Sequence, residues 1–408
     1  MLDILEEHFE EIQFLWEQRE KALRSPDFKF RAFLDLEERM EAHVQGLLTG
    51  GMHAIPLLEA GLATDDPAAA FTAAYVLLRS HAEVLARKVI EAFMQAKEEA
   101  VSGFRQALSH GPIAPIAAQL YQSLAAAPPL HAAAIAEVLA FHGCLPSPAT
   151  RLEELKIEKD PAVRLSAWRA IRFGTAPPAS GYQKGVTDDD SNVRKEVLEA
   201  AAWTRQSWLL DHCRGAAAEP APEHINEFRM LAILGTPVDL AAILAIGNSA
   251  ALGPHRFGIL AAFGHPDVMD ALLAGIGSDN KHDAVAAATA FTRITGFDVA
   301  GPQRITLPPA DGSEPDEFQR EFLDEVLAPN VEQARSRWKG AKARFAEGVR
   351  WRRGQILGSE IPMCLFSELD MESRWETCLR AGFNGDSQCK PAEMEAFPQT
   401  RRQHVALQ

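Results

Sequence analysis

The chain has 408 residues, of which 47% are apolar and 24% charged, so it can bury more than one core's worth of surface and is not a lone small domain. Its 56 acidic and 41 basic residues leave a net charge of −15, which repels phosphate backbones and anionic lipids and so argues against nucleic-acid and membrane partners. No run of about 18 uncharged apolar residues occurs, and the first residues are acidic where a targeting segment is basic, so we expect a cytoplasmic protein.

Residues 1–50 carry two helical patterns. In the first, apolar residues recur at spacings of three and four up to Trp16, on a helix whose other faces are rich in Glu. The second has the same spacing and ends at Gly50. Ser25 and Pro26 are the residue types of an N-cap and a first helical position, which predicts that the second helix begins there. The two helices are predicted to pack as an N-terminal helical pair.

Residues 51–300 contain short helices rich in Ala, Leu and Val, separated by Asp-rich turns. In the clearest internal repeat, residues 159–171 align with residues 189–201, 30 positions later. Weaker copies of the turn occur at residues 64–74, 264–268 and 278–288. In each copy, Asp or Ser is expected to accept the free N–H groups at the start of a helix. Pro fits the first turn, and the following Val and Ala residues pack on the preceding helix.

This turn resembles that of HEAT and HEAT-like repeats, in which pairs of antiparallel helices stack into a curved solenoid. The alternation of Ile, Val and Thr that is typical of strands is almost absent from the chain. We therefore predict an all-α fold, with a HEAT-like helical-repeat solenoid over residues 51–300, the N-terminal helical pair before it and a C-terminal helical extension.

The composition changes twice after the repeats. Residues 301–330 are rich in proline and acidic, with seven acidic residues and two arginines between residues 302 and 328, which is typical of a linker. Residues 331–408 reverse the balance, with 13 Lys and Arg against 10 Asp and Glu. They are predicted to form a basic helical C-terminal region.

Motifs that carry chemistry are missing from the sequence. None of the spacings that bind phosphate, present a serine nucleophile, hold a metalloprotease zinc or bind a dinucleotide occurs. The five cysteines form no Cys-x-x-Cys pair, and we expect reduced thiols. His142 and Cys144 point to different faces of a helix, and the acidic turn at residues 188–190 lacks the further oxygen ligands of a calcium loop. We assign no catalytic residue, cofactor or metal and predict that the chain is not an enzyme.

The helix that carries Trp168 is predicted to expose this side chain. Trp168 lies five residues after Val163, which is about 140° around the helix, so we expect it to be at least partly exposed. With residues of the following helices it forms a candidate aromatic and basic strip for a protein partner: Trp168, Arg169, Arg172, Trp203, Arg205 and Trp208. The alternative for Trp203 and Trp208 is packing between adjacent repeats.

A second candidate surface is the basic and aromatic cluster of Arg350, Trp351, Arg352 and Arg353. This composition occurs both in nucleic-acid contacts and in docking onto an acidic surface. Because the rest of the chain is strongly acidic, we favour docking onto the solenoid or onto an acidic partner.

Beyond the generic repeat, the chain resembles a group of bacterial HEAT-repeat proteins that are often encoded in type VI secretion gene neighbourhoods. The resemblance rests on residues 6–19, 22–26 and 35–43, and on Thr295-Gly296 followed by the acidic linker and residues 344–350. It spans essentially the whole chain and carries no catalytic motif. It implies a non-catalytic scaffold that binds a secreted effector or a component of the secretion apparatus, either as an adaptor or chaperone or as an immunity protein.

The alternative interpretation is an enzyme related to the HEAT-like DNA glycosylases. Such an enzyme needs a strip of Lys and Arg along successive inner helices, with an Asp among aromatic residues. Residues 164–172 alone offer anything similar, and the negative net charge argues against this interpretation.

Overall fold

A computed structural model of the protein describes residues 2–398 except 146–149, 175–180, 310–312, 315, 317–319, 321–322, 346–347 and 358–366. The chain is mostly helical, as the sequence predicts, and divides into two compact units. Unit 1 comprises Met1–Gln206 and Asp370–Gln408, and unit 2 comprises Ser207–Leu369. Of the helices in the described part of the chain, none is both long and apolar enough to cross a membrane.

Unit 1 begins with two long helices that pack on each other, α1 (Leu2–Ala22) and α2 (Phe30–Gly50). This confirms the predicted helical pair, but the predicted start of the second helix is wrong. The Ser25 hydroxyl accepts the backbone N–H two residues later, at 3.2 Å, instead of capping a helix. The chain stays extended at Lys29, where it pairs with Asp370 in an antiparallel bridge.

Among the described residues between α2 and Gln206, ten further α-helices follow: α3 (Ile55–Leu62), α4 (Pro67–Arg79), α5 (Glu83–Gln95), α6 (Glu98–His110), α7 (Ala117–Leu124), α8 (Pro129–Phe141), α9 (Thr150–Leu155), α10 (Pro161–Phe173), α11 (Tyr182–Gly185) and α12 (Ser191–Trp203). Five of them, α4, α6, α8, α10 and α12, form a central row in which each helix packs on the next. The other helices, α3, α5, α7, α9 and α11, each pack against one or two members of this row. The row helices are covered on several sides, and the coverage is most complete at α8, where every residue from His131 onward is buried.

Three helices of the central row begin at the predicted aspartate caps. The carboxylates of Asp66, Asp160 and Asp190 each accept backbone N–H groups from the first turn of the helix that follows. Arg164 of one repeat forms a bidentate pair with Asp188 in the turn of the next, with both N–O distances at 2.7 Å. The capped turns therefore also connect consecutive helices of the row.

Unit 2 contains α13 (Leu209–Ala217), α14 (Ile225–Leu234), α15 (Leu240–Asn248), α16 (His255–Phe263), α17 (Met269–Ile276), α18 (Lys281–Thr295), β1 (Ala300–Thr306), β2 (Glu325–Pro329), α19 (Val331–Ala341), β3 (Trp351–Arg352) and β4 (Gln355–Ile356). Helices α14, α16 and α18 form a second row, against which α13, α15 and α17 pack. The strands pair as two antiparallel ribbons, β1 with β2 and β3 with β4. The ribbon of β3 and β4 packs on α18.

Two segments differ from the divisions expected from the sequence. Residues 301–330, expected to be a linker, supply most of β1 and all of β2, since an acidic and proline-rich composition does not prevent a two-stranded ribbon. Residues 331–408, expected to be one region, are divided at residue 370. The part from Asp370 returns to unit 1 and forms α20 (Met371–Phe383) and α21 (Pro391–Glu395), which pack on α12 and α10 respectively.

Candidate binding groove

A polar cavity of about 350 Å³ lies in unit 1, beside α1 and the central row. We call it the groove. Its lining contains six basic and four acidic side chains: Arg19, Arg24, Arg105, Arg169, Arg172, Lys195, Glu20, Glu137, Glu196 and Glu395. So many charged groups beside a helical core need partners, because burying an unpaired charge is costly.

Neighbouring helices of the row supply such partners to each other. Arg169 and Arg172 lie one turn apart on α10, and Glu196 and Glu199 lie one turn apart on α12, so each pair shares a helix face. The Arg172 guanidinium lies 3.0 Å from a Glu196 carboxylate oxygen and 3.3 Å from one of Glu199. The row therefore presents one continuous ionic surface to the groove.

The C-terminal segment of the chain, residues 391–398, occupies part of this groove. The carboxylate of Glu395 lies 3.0 Å from Arg172 Nη2 and 3.3 Å from Arg24 Nη2. Its backbone oxygen accepts a hydrogen bond from Arg19 Nη2 at 2.6 Å. The arginines of the groove therefore bind both the charged side chain and the main chain of this segment.

Two residues later, Phe397 fills an aromatic socket on α4 and α6, and 1% of it is exposed. Its ring centroid lies 5.3 Å from that of Tyr75, 6.2 Å from that of Phe71 and 4.4 Å from the centre of the His110 ring. The Arg19 guanidinium lies 4.0 Å from the same ring centroid, within cation–π range. A buried ring with four such neighbours anchors the end of the segment.

Two of the arginines, Arg24 and Arg172, lower the pKa of two carboxylates beside them, Glu199 and Glu395. Burial alone raises the pKa of a carboxyl group, but the guanidinium groups of Arg24 and Arg172 outweigh it and hold the pKa of Glu199 at about 2. The pKa of Glu395 is also lowered, because the effect of Arg172 and Arg24 exceeds the opposite effect of burial. At Glu196 burial prevails over Arg172, and the pKa is raised. The groove therefore favours a carboxylate at the position of Glu395.

Arg19 and Arg24 connect this site to the N-terminal helical pair. Arg19 is fully buried, and its Nε donates to the Glu37 carboxylate of α2 at 3.0 Å. Arg24 follows α1 and forms hydrogen bonds of 2.7 and 2.9 Å to the Glu199 carboxylate. Its guanidinium stacks on the Trp375 ring of α20, at 3.7 Å from the centroid. The two ends of unit 1 and its central row therefore meet at the groove.

The expected exposure of Trp168 is wrong, because 1% of this residue is exposed. The Tyr182 ring lies 5.0 Å from the indole between centroids, and Lys156 Nζ lies 5.2 Å from the indole centroid. A Cβ at Gly185 would lie 2.8 Å from Trp168 Cζ2, so α11 packs directly on the indole. The face opposite the predicted apolar face is thus covered by a short helix, and a partner cannot reach Trp168 in this conformation.

The other residues of the predicted strip have different surroundings. Arg169 and Arg172 line the groove, although Arg172 is buried rather than presented on an open surface. Trp203 is half-buried against α20, with its ring centroid 5.9 Å from that of Trp375. Arg205 is exposed, and the half-buried Trp208 belongs to unit 2.

The cluster Arg350, Trp351, Arg352 and Arg353 lies inside unit 2. Arg350 donates to two carbonyl oxygens in the last turn of α14, one of them at 2.7 Å. Arg352 donates to two in the last turn of α16, one of them at 2.5 Å. Trp351 is buried and Arg353 half-buried. The cluster therefore docks within its own unit, where two of its arginines bind the negative ends of helices.

Sequence reasoning missed the residues that meet at the groove, namely Arg19, Arg24, Glu199, Glu395 and Phe397. A signal existed for Glu199, because it lies 30 positions after Arg169, at the same place in the next helix. Glu395 and Phe397 lie more than a hundred residues from their partners in the row, so no local periodicity points to them.

Within the described residues, no group of three or more His, Cys, Asp or Glu side chains is placed to hold a metal ion. Comparisons with known protein families, with curated proteins and with solved structures give no match for the chain. Its function is therefore argued from the groove itself.

Proposed function

We propose that unit 1 is a non-catalytic protein-binding module whose groove takes an extended segment carrying a carboxylate two residues before an aromatic ring. The observation that carries this proposal is the seating of the chain's own Glu395 and Phe397. Glu395 lies between two arginines, and Phe397 is buried in an aromatic socket. A partner segment with the same spacing can make the same contacts once residues 391–398 leave.

In this proposal the C-terminal segment competes with the partner. Because it is tethered to unit 1, its effective concentration at the groove is high, of millimolar order for a short flexible connection. A partner must therefore bind more tightly than an isolated copy of the segment, or the segment must be displaced by a second contact. The groove is then available only to a strong or multivalent partner.

We propose further that the alternating helices of unit 1 form a HEAT-like solenoid. The support is the side-by-side order of α4, α6, α8, α10 and α12 and the aspartate caps that recur at their starts. From the resemblance noted in the sequence, the partner is a secreted effector or a component of the type VI apparatus. The chain then acts in the cytoplasm as an adaptor or chaperone, or as an immunity protein.

Binding of a labelled peptide tests the groove directly. The full chain with Glu395→Ala and Phe397→Ala, in which the internal segment has lost both anchors, is titrated into a fluorescent peptide of residues 391–398. We expect saturable binding by this variant and weaker binding by the unchanged chain, where the internal segment competes. Peptides with Gln at the Glu395 position or Ala at the Phe397 position are expected to lose affinity about tenfold or more.

A matched pair of receptor variants locates the binding site. Arg24→Gln removes a guanidinium that contacts Glu395, whereas Arg87→Gln removes one that pairs with Glu83 on the surface of α5. Arg24→Gln is expected to weaken peptide binding, and Arg87→Gln is expected to leave it unchanged. Equal effects of the two variants, or no binding by the double-alanine chain, would contradict the proposal.

A DNA glycosylase would need the basic residues of the groove for a different purpose. It needs cations free to contact phosphates, but in the groove Arg19, Arg24, Arg105, Arg169 and Arg172 each form an ion pair with a glutamate. This pairing favours a protein segment over DNA. Titration of a labelled duplex into the double-alanine variant tests the alternative, which predicts salt-sensitive binding of the duplex and none of the peptide.

A further inference from the structure

Two cysteines lie close together immediately before the C-terminal segment. The sulfurs of Cys378 and Cys389 are 3.1 Å apart. A disulfide has an S–S length of about 2.05 Å, so a movement of about 1 Å closes the bond. Cys378 lies on α20, and Cys389 lies in the connection between α20 and α21. The pair therefore joins a helix packed on α12 to the start of the segment in the groove.

The two thiols differ in access. Cys378 is buried, with 4% exposed, whereas Cys389 is half-buried. Cys389 also lines a second cavity of unit 1, of about 540 Å³, together with residues that include Phe141, Trp203 and Asp386. A small oxidant can reach Cys389 through this cavity, and Cys378 can then react only with the sulfur of Cys389.

The more accessible thiol, Cys389, is also the more acidic of the two. The thiol of Cys378 donates a hydrogen bond to the sulfur of Cys389, which lowers the pKa of Cys389 in spite of its burial. The same hydrogen bond, together with burial, raises the pKa of Cys378. Cys389 is thus the better thiolate as well as the more accessible sulfur, as expected of the attacking member of a pair.

We propose that a low-molecular-weight disulfide such as glutathione disulfide oxidises Cys378 and Cys389 to a reversible disulfide with each other, and that this disulfide latches the C-terminal segment in the groove. The Cys389 thiol loses its proton to water, and the resulting thiolate attacks one sulfur of the oxidant and expels a thiolate. The Cys378 thiol gives its proton to that leaving thiolate, attacks the Cys389 sulfur of the mixed disulfide and expels the second thiolate, which takes a proton from water. The protein loses two hydrogens, and one disulfide molecule becomes two thiols.

The latch follows from the position of Cys389. It lies two residues before Pro391, where α21 begins, and six residues before Glu395. A bond to α20 at this point restricts the conformations through which residues 391–398 can leave the groove. Oxidation then favours the occupied groove and reduction favours exchange with a partner. This second step rests on the proposed function, whereas the disulfide itself does not.

The disulfide is tested on the folded full chain equilibrated in buffers of reduced and oxidised glutathione. After free thiols are blocked, trypsin cleaves at Arg374 and Arg380 and so separates the two cysteines into peptides that only the disulfide holds together. We expect this linked pair in the oxidised buffer, its loss in the reduced one, and no pair in Cys389→Ser. Cys144→Ser, which removes an exposed cysteine, serves as the matched control and is expected to retain it.

Two results would overturn the redox pair. One is full blocking of Cys378 and Cys389 in the oxidised buffer under conditions where glutathione has reacted with Cys144. The other is a Cys389 disulfide to a different cysteine, such as Cys364, which lies outside the described residues; Cys364→Ser distinguishes this case.

The latch is tested by titrating the labelled peptide of residues 391–398 into the oxidised and the reduced full chain. We expect the oxidised chain to bind it about tenfold more weakly, and Cys389→Ser to show no dependence on the buffer. A confirmed disulfide with unchanged peptide affinity contradicts the latch. Failure of the double-alanine variant to bind the peptide contradicts the proposed function, whereas the redox pair is tested independently by the tryptic digest.

Discussion

Units 1 and 2 both bury arginines, but they satisfy them in different ways. In unit 1, Arg172 is 3% exposed and pairs with the carboxylates of Glu196, Glu199 and Glu395. In unit 2, Arg352 is 2% exposed and donates to backbone carbonyls at the end of α16. The two guanidinium groups are equally buried, and the difference lies in what accepts their hydrogen bonds.

This difference separates an exchangeable contact from a structural one. In the proposed function another carboxylate replaces Glu395, and Arg172 keeps Glu196 and Glu199 as partners during the exchange. The carbonyls that Arg352 satisfies belong to a helix end that stays in place, and without the guanidinium they lose partners in a buried site. A buried arginine is therefore a candidate binding residue when its acceptor is a side chain on a separable segment.

Replacement of Trp168 by Ala is expected to have the largest effect. The indole is enclosed by Tyr182 and α11, so truncation leaves a cavity and costs about 4 kcal/mol of unfolding free energy. Denaturant unfolding of the full chain measures it. Ile157→Ala is the control, because Ile157 is 63% exposed and its truncation should change stability by less than about 0.5 kcal/mol. Equal stability of the two variants would contradict the burial of Trp168.

Replacement of Arg352 by Ala tests whether the buried arginine of unit 2 is needed for stability. We expect a loss of about 3 kcal/mol in unfolding free energy, because several charge-assisted hydrogen bonds to buried carbonyls disappear. The exposed Arg344 of the same unit is the matched control. Peptide binding at the groove should be unaffected in both variants. A stable Arg352→Ala chain would show that the contact is not structural.

Replacement of Phe397 by Ala tests the contact between residues 391–398 and the groove. We expect a smaller loss, about 2 kcal/mol at most in unfolding free energy, because the segment can detach before the rest of unit 1 unfolds. A glutamate-specific protease should then cleave at Glu393 and Glu395 much faster than in the unchanged chain. Pro398→Ala, next to the anchor, is expected to alter the cleavage rate little. Unchanged cleavage in Phe397→Ala would mean that the socket does not hold the segment.

Of these changes, we expect acidification to have the smallest effect on the stability of the folded chain. The pKa of Glu199 is about 2 in the folded chain against an ordinary 4.5, so its contribution is present above 4.5 and is lost as the pH falls towards 2. The raised pKa of Glu196 changes the stability of the folded chain with pH in the opposite direction. The comparison with Glu199→Gln is therefore needed to isolate the contribution of Glu199. Melting temperatures measured across this range should fall more steeply for the unchanged chain than for Glu199→Gln. Parallel curves would contradict the pairing of Glu199 with Arg24.

The sequence predicts those parts of the fold that depend on local chemistry. The aspartate caps at Asp160 and Asp190 and the paired helices of residues 1–50 follow from residue types at fixed spacings, and the structure confirms them. The exposure of Trp168 could not be judged from its helix alone. It depends on α11, a helix of four residues that is too short to produce a periodic pattern.

The site depends on contacts between distant segments, and these leave little trace in one sequence. The sequence places Glu395 and Phe397 in a basic helical region, and nothing in it indicates that the chain returns from unit 2 to unit 1 at Asp370. The arginines at residues 350–353 have the composition of a binding surface, yet helix carbonyls satisfy two of them. Composition indicates which side chains need partners, and only the tertiary structure identifies those partners.

Amide hydrogen exchange of the full chain tests the central claim most directly, because it compares residues 391–398 and residues 350–356 in one sample. We predict that residues 391–398 exchange through local opening, about a hundredfold faster or more than residues 350–356. Added peptide of residues 391–398 should accelerate exchange in the internal copy and leave residues 350–356 unchanged. Equal protection of the two segments, with no response to the peptide, would contradict the claim that the groove is exchangeable.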